Sequence, residues 1–250
     1  EGIFNNAKAE EYHNDPNVSK KVLPYASDMY EAMKKYVTET NKREEVNLFL
    51  SDTSASLKRL FLGVMIASVL SLFIGVGMGV FPWIRALMNG IVTTFSIVPP
   101  VSLVPILFVL AGTGEPAKIF LIVFGTCFLK SRDVARVVSS LPNEQLVTTL
   151  TLGGNPASYI IRIVLPQLLP RFLEMVKIYL GPAWIFVIVS EGLGASSGLA
   201  HRMYLLRRSY NLALMFPIVM WITLVAILLN VILILFSRWK CKWFATSNNL

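Results

Sequence analysis

Uncharged apolar runs of membrane-spanning length alternate along this chain with short charged or Gly- and Pro-marked stretches, and the alternation predicts five helical crossings. Residues 60–84 form a first run of about 25 residues, enough for one tilted span. Its end, Gly75-Val76-Gly77-Met78-Gly79, invites close contact with another helix, as small residues do in lipid. Residues 86–114 also lack charge, but Pro99, Pro100 and Pro105 interrupt them. Broken backbone persists at membrane depth only where it is buried or lines a cavity. Thr94, Ser96, Pro99, Pro100 and Ser102 are therefore candidates to line one, with a packing kink as the alternative. A third span begins near Pro116 and runs past Leu129, where Lys130, Arg132 and Arg136 mark its end. A fourth rises from Arg171 through Gly181, Pro182 and Trp184 to Glu191. The fifth, residues 209–237, is uncharged, carries Pro217 as a kink, and ends in a basic aromatic anchor that starts at Arg238-Trp239-Lys240.

Between the third and fourth spans lies a polar stretch that reads as helix, break, helix. Residues 146–152 make about two turns, and Gly153-Gly154 can take the positive φ that ends them. Asn155 is a good N-cap, with Pro156 in the first helical position where a missing N–H costs nothing. The second helix is expected to stop at Leu165-Pro166. Tyr159, Ile160, Ile163 and Val164 fall on one apolar face, while Arg162 points elsewhere. The pattern predicts a surface helix pair that docks on something. Its basic flanks, Lys130, Arg132, Arg136 and Arg162, place it on the cytoplasmic side, and the C-terminal anchor reads the same way.

Residues 1–57 contain no run long enough to cross a bilayer. Asp28 and Glu31 have capping-box spacing before a short helix to about Val37, whose stripe of Met29, Met33 and Tyr36 would lie on the membrane or on the protein itself. Composition agrees with the spans: 54% of residues are hydrophobic, 15% are charged, and mean hydropathy is +0.60, far from an ordinary soluble domain. The net charge of +8 is carried beyond residue 57, since the first 57 residues hold more acids than bases. Cys127 and Cys241 offer neither a disulfide framework nor metal-ligand spacing.

At Gly153 and Leu165-Pro166 the chain resembles the cytoplasmic loop of bacterial importer permeases of the ATP-binding-cassette (ABC) class, whose pattern is Glu-Ala-Ala, three residues, Gly, about a dozen residues, Leu-Pro. The leading positions here are Val147-Thr148-Thr149, so the family's acid is absent, and Glu144 is out of register. Pro99-Pro100, Leu103 to Pro105 and the turn Gly112-Thr113-Gly114-Glu115-Pro116 look like the Pro-rich helix and turn of the nitrate/sulfonate/taurine branch. Trp184 and Ser190-Glu191-Gly192 through Leu199 resemble its Ala-Trp and Ala-Glu…Gly-Leu-Gly segment, with Ala200 in place of the last glycine.

The resemblance implies an all-α polytopic protein of the type I ABC importer permease fold, with a coupling-helix loop over about 139–170 inside a transmembrane domain of residues 58–237. An extramembrane segment, 1–57, would precede it and a cytoplasmic basic tail, 238–250, would follow. In that branch a first transmembrane helix leads into the segment at Leu23-Pro24, so the expectation is a chain that continues such a span or forms the second half of a longer one. It further implies a second permease subunit, two ATPases that bind ATP and Mg, and a substrate-binding protein, in a bacterial inner membrane. The coupling residues would be Val147, Thr148, Thr149, Gly153, Gly154, Asn155, Pro156, Leu165 and Pro166, and the path or gate would use Thr94, Ser96, Pro99, Pro100, Ser102, Trp184, Glu191 and Arg202. The branch favours small anions such as sulfonates, nitrate or bicarbonate. Nucleic acid is not an expected partner, and no cofactor or metal is expected on this chain.

Glu191 is the acid deep in the apolar second half, expensive unless it faces water or a partner. Arg202, just beyond the Gly192–Gly198 turn, is the expected partner, the two holding an outer mouth closed. An alternative from another class is an intramembrane serine hydrolase, because Gly194-Ala195-Ser196-Ser197-Gly198 spells a nucleophile elbow and His201 follows. That elbow requires a preceding strand, whereas a membrane helix precedes it here. No Gly-x-x-x-x-Gly-Lys-Ser/Thr occurs, so the chain is not expected to hydrolyse ATP itself.

Overall fold

The computed structural model describes residues 24–38 and 47–240. They form helices α1 (Ala26–Thr38), α2 (Leu48–Val80), α3 (Pro82–Ile97), α4 (Val104–Ala111), α5 (Glu115–Ser139), α6 (Asn143–Thr151), α7 (Pro156–Tyr159), α8 (Leu165–Gly194), α9 (Leu199–Arg208) and α10 (Leu212–Lys240). A 3₁₀ turn, Pro100–Leu103, leads into α4, and a π turn, Ile160–Val164, joins α7 to α8. Cys241 and the rest of the tail lie outside the described residues.

Among the described residues, three helical stretches are long and apolar enough to cross a membrane: Leu48–Val80, Pro156–Gly194 and Leu212–Lys240. A fourth is α3 taken together with residues 100–110 across an 83° bend. The expected third span forms a helix, α5, that is not among those apolar enough to cross, because its uncharged stretch covers only residues 119–129, which is short for a bilayer. The first span differs from expectation at both ends. It starts at Leu48, because Asp52, Thr53 and Ser56 are buried in helical backbone, and it stops at Val80, where extended Phe81 leads into Pro82 at the start of α3.

The chain divides into two compact units. One joins the segment up to Leu57 with Glu191–Val225. In it α1 turns its stripe inward: Tyr36 is buried and packs edge-on to Phe49, which in turn packs against Trp221. The interfacial helix therefore lies on the protein. Its capping box does not form, since Met29 N–H bonds back to Tyr25 O and the helix begins before Asp28, leaving that acid in the first turn near the positive dipole end.

The other unit comprises Lys58–Ser190 and Ala226–Leu250. Here α2 and α5 approach closely through glycine, as the Gly75 to Gly79 run suggests. A Cβ on Gly75 would lie 2.5 Å from Val134, and one on Gly63 would lie 2.6 Å from Ile122. The core formed there, Val76, Val134, Val138, Tyr159, Val164, Leu168 and Met175, ties α2 and α5 to the π turn and α8. Lys130 belongs to this interior rather than to the headgroup end of α5: it is fully buried and donates to Ser68 Oγ at 2.9 Å.

Candidate functional site

The polar stretch between α5 and α8 folds as its residues dictate. Gly153 takes φ +79° and closes α6, with Gly154 N–H bonding to Thr149 O. Asn155 is extended, and its side chain accepts from Ser158 N–H at 2.8 Å to cap α7, with Pro156 in the first turn. Tyr159 and Val164 are buried and Ile160 and Ile163 half-buried against the same core, so the apolar face is filled from within the chain. What remains outward is the tip: Val147, Leu150, Leu152 and Ile161, with Leu152 82% exposed.

The expected stop at Pro166 does not occur, and the chain continues into a 30-residue helix. In an α-helix the proline ring would strike the carbonyl four residues back. The π turn ahead of it bonds five residues back, as Leu165 N–H does to Ile160 O, and moves that carbonyl away. The tip is thereby fixed rigidly to a membrane helix.

The Pro99-Pro100 region is a true break. Its 83° bend greatly exceeds a packing kink. Ser102 Oγ and Ser102 N–H both donate to Pro99 O, at 2.7 and 3.1 Å, and so supply part of the hydrogen bonding that the broken helix gives up. Thr94 and Ser102 are exposed and Ser96 half-buried, its hydroxyl donating to Val92 O. Trp184 sits inside, 6% exposed, with no hydrogen-bond partner for its Nε1 among the described residues.

Glu191 and Arg202 lie in one buried network, but Arg202 pairs with a different acid. Its Nε donates to Asp52 Oδ2 at 2.9 Å, and the guanidinium stacks 5.5 Å over the Tyr36 ring. Asp52 also accepts from the Tyr36 hydroxyl at 2.6 Å and from Gly198 N–H at 3.0 Å. Glu191, fully buried, accepts from Ser56 Oγ at 2.9 Å and from Ala200 N–H at 3.1 Å, and Ser56 Oγ receives Leu199 N–H. The first donors of α9 are thus taken by side chains of α2 and α8, which is where negative charge is favoured on a helix. Burial and the bond to Asp52 push the Tyr36 hydroxyl well above its ordinary pKa. Gly198 holds φ +129° with its α-carbon against the Glu191 carboxylate, so no side chain fits there.

Asp52 and Ser56 are missed by reading along the chain. The signal they offer is an acid and a hydroxyl four residues apart, on one helix face, immediately before an apolar run. Also missed is the cluster at the start of α5, where buried Arg59 and Lys118 both bond Glu115, at 2.6 and 2.9 Å. Arg59 is the first cause that holds the Glu115 carboxyl down at about 2.

Ser196 lies exposed in a bend after α8, and no strand precedes it among the described residues. The hydrolase alternative lacks the strand its elbow needs.

Long apolar helices, a proline-broken span and a rigidly mounted polar hairpin together define a multi-pass membrane permease. Residues 61–242 match the family described as binding-protein-dependent transport system inner membrane component, and the chain belongs to it. It is an ABC importer permease. A Brucella melitensis protein named as a probable ABC transporter permease is 29% identical over 195 residues, covering 78% of this chain and 79% of the relative. The taurine transport system permease protein TauC of Escherichia coli is 28% identical over 58% of this chain and 53% of its own length. The bicarbonate transport system permease protein CmpB of Synechococcus elongatus is 26% identical over 56% and 50%. An inward-facing structure of the MetNI methionine ABC transporter shares the fold with a TM-score of 0.64 at 21% identity, covering 73% of this chain and 91% of that one.

Proposed function

We propose that this permease carries a small, anionic solute across the bacterial inner membrane and draws its power from separate ATPase subunits that dock on the hairpin at Gly153. The carrying observation is the exposed apolar tip, Val147, Leu150, Leu152 and Ile161, on a hairpin whose other face is already packed. Exposed apolar groups on a rigid mount at a helix end suit rigid-body transmission between subunits. In this reading a second permease subunit completes the path, ATP and Mg are bound by the ATPases, and a binding protein delivers the solute. The docking side and the C-terminus face the cytoplasm, as the basic residues that flank the loop and end α10 suggest. Taurine and bicarbonate, named for two relatives, support a small solute that bears an acidic group.

A cysteine replacing Leu152, in a chain cleared of Cys127 and Cys241, tests the docking. In the assembled transporter a short thiol cross-linker should join it to the ATPase. A complex that hydrolyses ATP and gives no such cross-link in any nucleotide state would remove the docking role.

A further inference from the structure

A cleft of about 500 Å³ opens between α8 and α10, lined by Glu174, Lys177 and Ile178 on one side and Asn230 and Ile234 on the other. Its position is unusual for its chemistry. Asn230 is the one hydrogen-bonding side chain in α10 between Thr223 and Ser237. It lies eight residues before Arg238, about 12 Å along the helix from that cationic end. Charged and amide groups at such a level are costly unless they meet water, each other or a ligand. Glu174 and Lys177 stand one turn apart, where they are able to pair, yet neither they nor Asn230 make a hydrogen bond or ion pair among the described residues.

From this arrangement we infer that the α8–α10 cleft binds a zwitterionic group, one that carries an ammonium and an oxyanion together. Lys177 supplies the charge for the oxyanion, Glu174 the charge for the ammonium, and the Asn230 carboxamide donates or accepts toward either. A purely anionic ligand would face repulsion from Glu174, and a purely cationic one from Lys177. Ile178 and Ile234 give the cleft an apolar rim, and its volume is of the size that small-molecule sites have. Two sources carry this chemistry: a phosphoethanolamine lipid headgroup from the surrounding leaflet, and a free aminosulfonate or amino acid.

The test uses the assembled transporter in detergent, titrated separately with phosphatidylethanolamine, phosphatidylglycerol and taurine and read by native mass spectrometry. Retention of phosphatidylethanolamine at least about tenfold more tightly than phosphatidylglycerol identifies the lipid source. Saturable binding of taurine without that lipid preference identifies the free solute. In either case Glu174→Gln should weaken the zwitterion by about tenfold and, by relieving repulsion, tighten phosphatidylglycerol, while Lys177→Gln weakens both. The exchanged variant, Glu174→Lys with Lys177→Glu, keeps both charges in the cleft and should retain binding, which separates loss of the site from loss of the fold. Equal retention of the two lipids with no taurine binding, or a zwitterion affinity unchanged by Glu174→Gln, overturns the inference.

Discussion

Arg202 donates its Nε–H to Asp52 at 2.9 Å across 150 residues of chain, and Asp52, 2% exposed, holds Gly198 N–H and the Tyr36 hydroxyl as well. One carboxylate thus joins α1, α2 and the start of α9. Removing one member of a buried pair strands the other, at about 3–5 kcal/mol, whereas a hydrogen bond from a hydroxyl to a carboxylate is worth about 1.5–3 kcal/mol. Asp52→Asn and Arg202→Gln should each be strongly destabilising in thermal unfolding of the detergent-purified chain, and Tyr36→Phe less so. The double variant should be less destabilised than the sum of the two singles by about 2 kcal/mol. Strict additivity would mean that the pair carries no coupling.

Glu115 gives a pH signature. Its folded pKa, about 2, lies below the ordinary carboxylate value of 4.5, so its contribution is complete above the unfolded pKa and disappears as pH falls from there toward 2. Glu115→Gln should lower stability at pH 7 by about 1 kcal/mol, discounted because the carboxylate is half-exposed. The gap between variant and wild type should then narrow as the pH drops below about 4.5. Melting temperatures at pH 7, 4.5 and 3 check this, and a gap that widens with acid would contradict the assignment.

The hairpin was readable because its signals are local. Gly153, Asn155 and Pro156 each act on their own backbone, and all three take the expected conformations. The break at Pro99 and Pro100 was readable for the same reason. Pro166 misled because its effect depends on the hydrogen bonding of the turn before it, and a π turn absorbs a proline that an α turn rejects. The Asp52 pairing was hidden for another reason. Proximity in sequence pairs Arg202 with Glu191, whereas helical packing carries a more distant acid to it, and polar residues ahead of an apolar run resemble an exposed lead-in until their partners are in place.

Gly153 separates backbone geometry from steric filling. Open space surrounds the position, so a side chain there meets only the strain of φ +79°. Gly153→Val should cost about 1–3 kcal/mol locally and lower ATP-driven uptake while membrane insertion stays normal. Gly153→Asn should be much milder, because asparagine accepts positive φ. Full uptake with Gly153→Val would show that the turn has no part in coupling. Val147 stands where the family has an acid, so Val147→Glu should bring no gain with the native ATPase.

The bend at Pro99 and Pro100 can be tested for access to water. A helix that turns by 83° within the span leaves backbone without its usual partners, and only part of that loss is met by Ser102. Such a segment is stable beside protein or water but not in lipid. Single cysteines at Thr94, Ser96 and Ser102, after removal of Cys127 and Cys241, should react with small water-soluble thiol reagents in at least one transport state. Val109, 84% exposed on the apolar helix that follows, is the control, since a lipid-facing cysteine there should stay unreactive. The rate at Thr94 or Ser102 should change by about tenfold or more between the nucleotide-free and ATP-trapped complexes if the bend borders a path that opens alternately. Uniform protection at all three positions in every state would leave the bend as a packing feature with no share in transport.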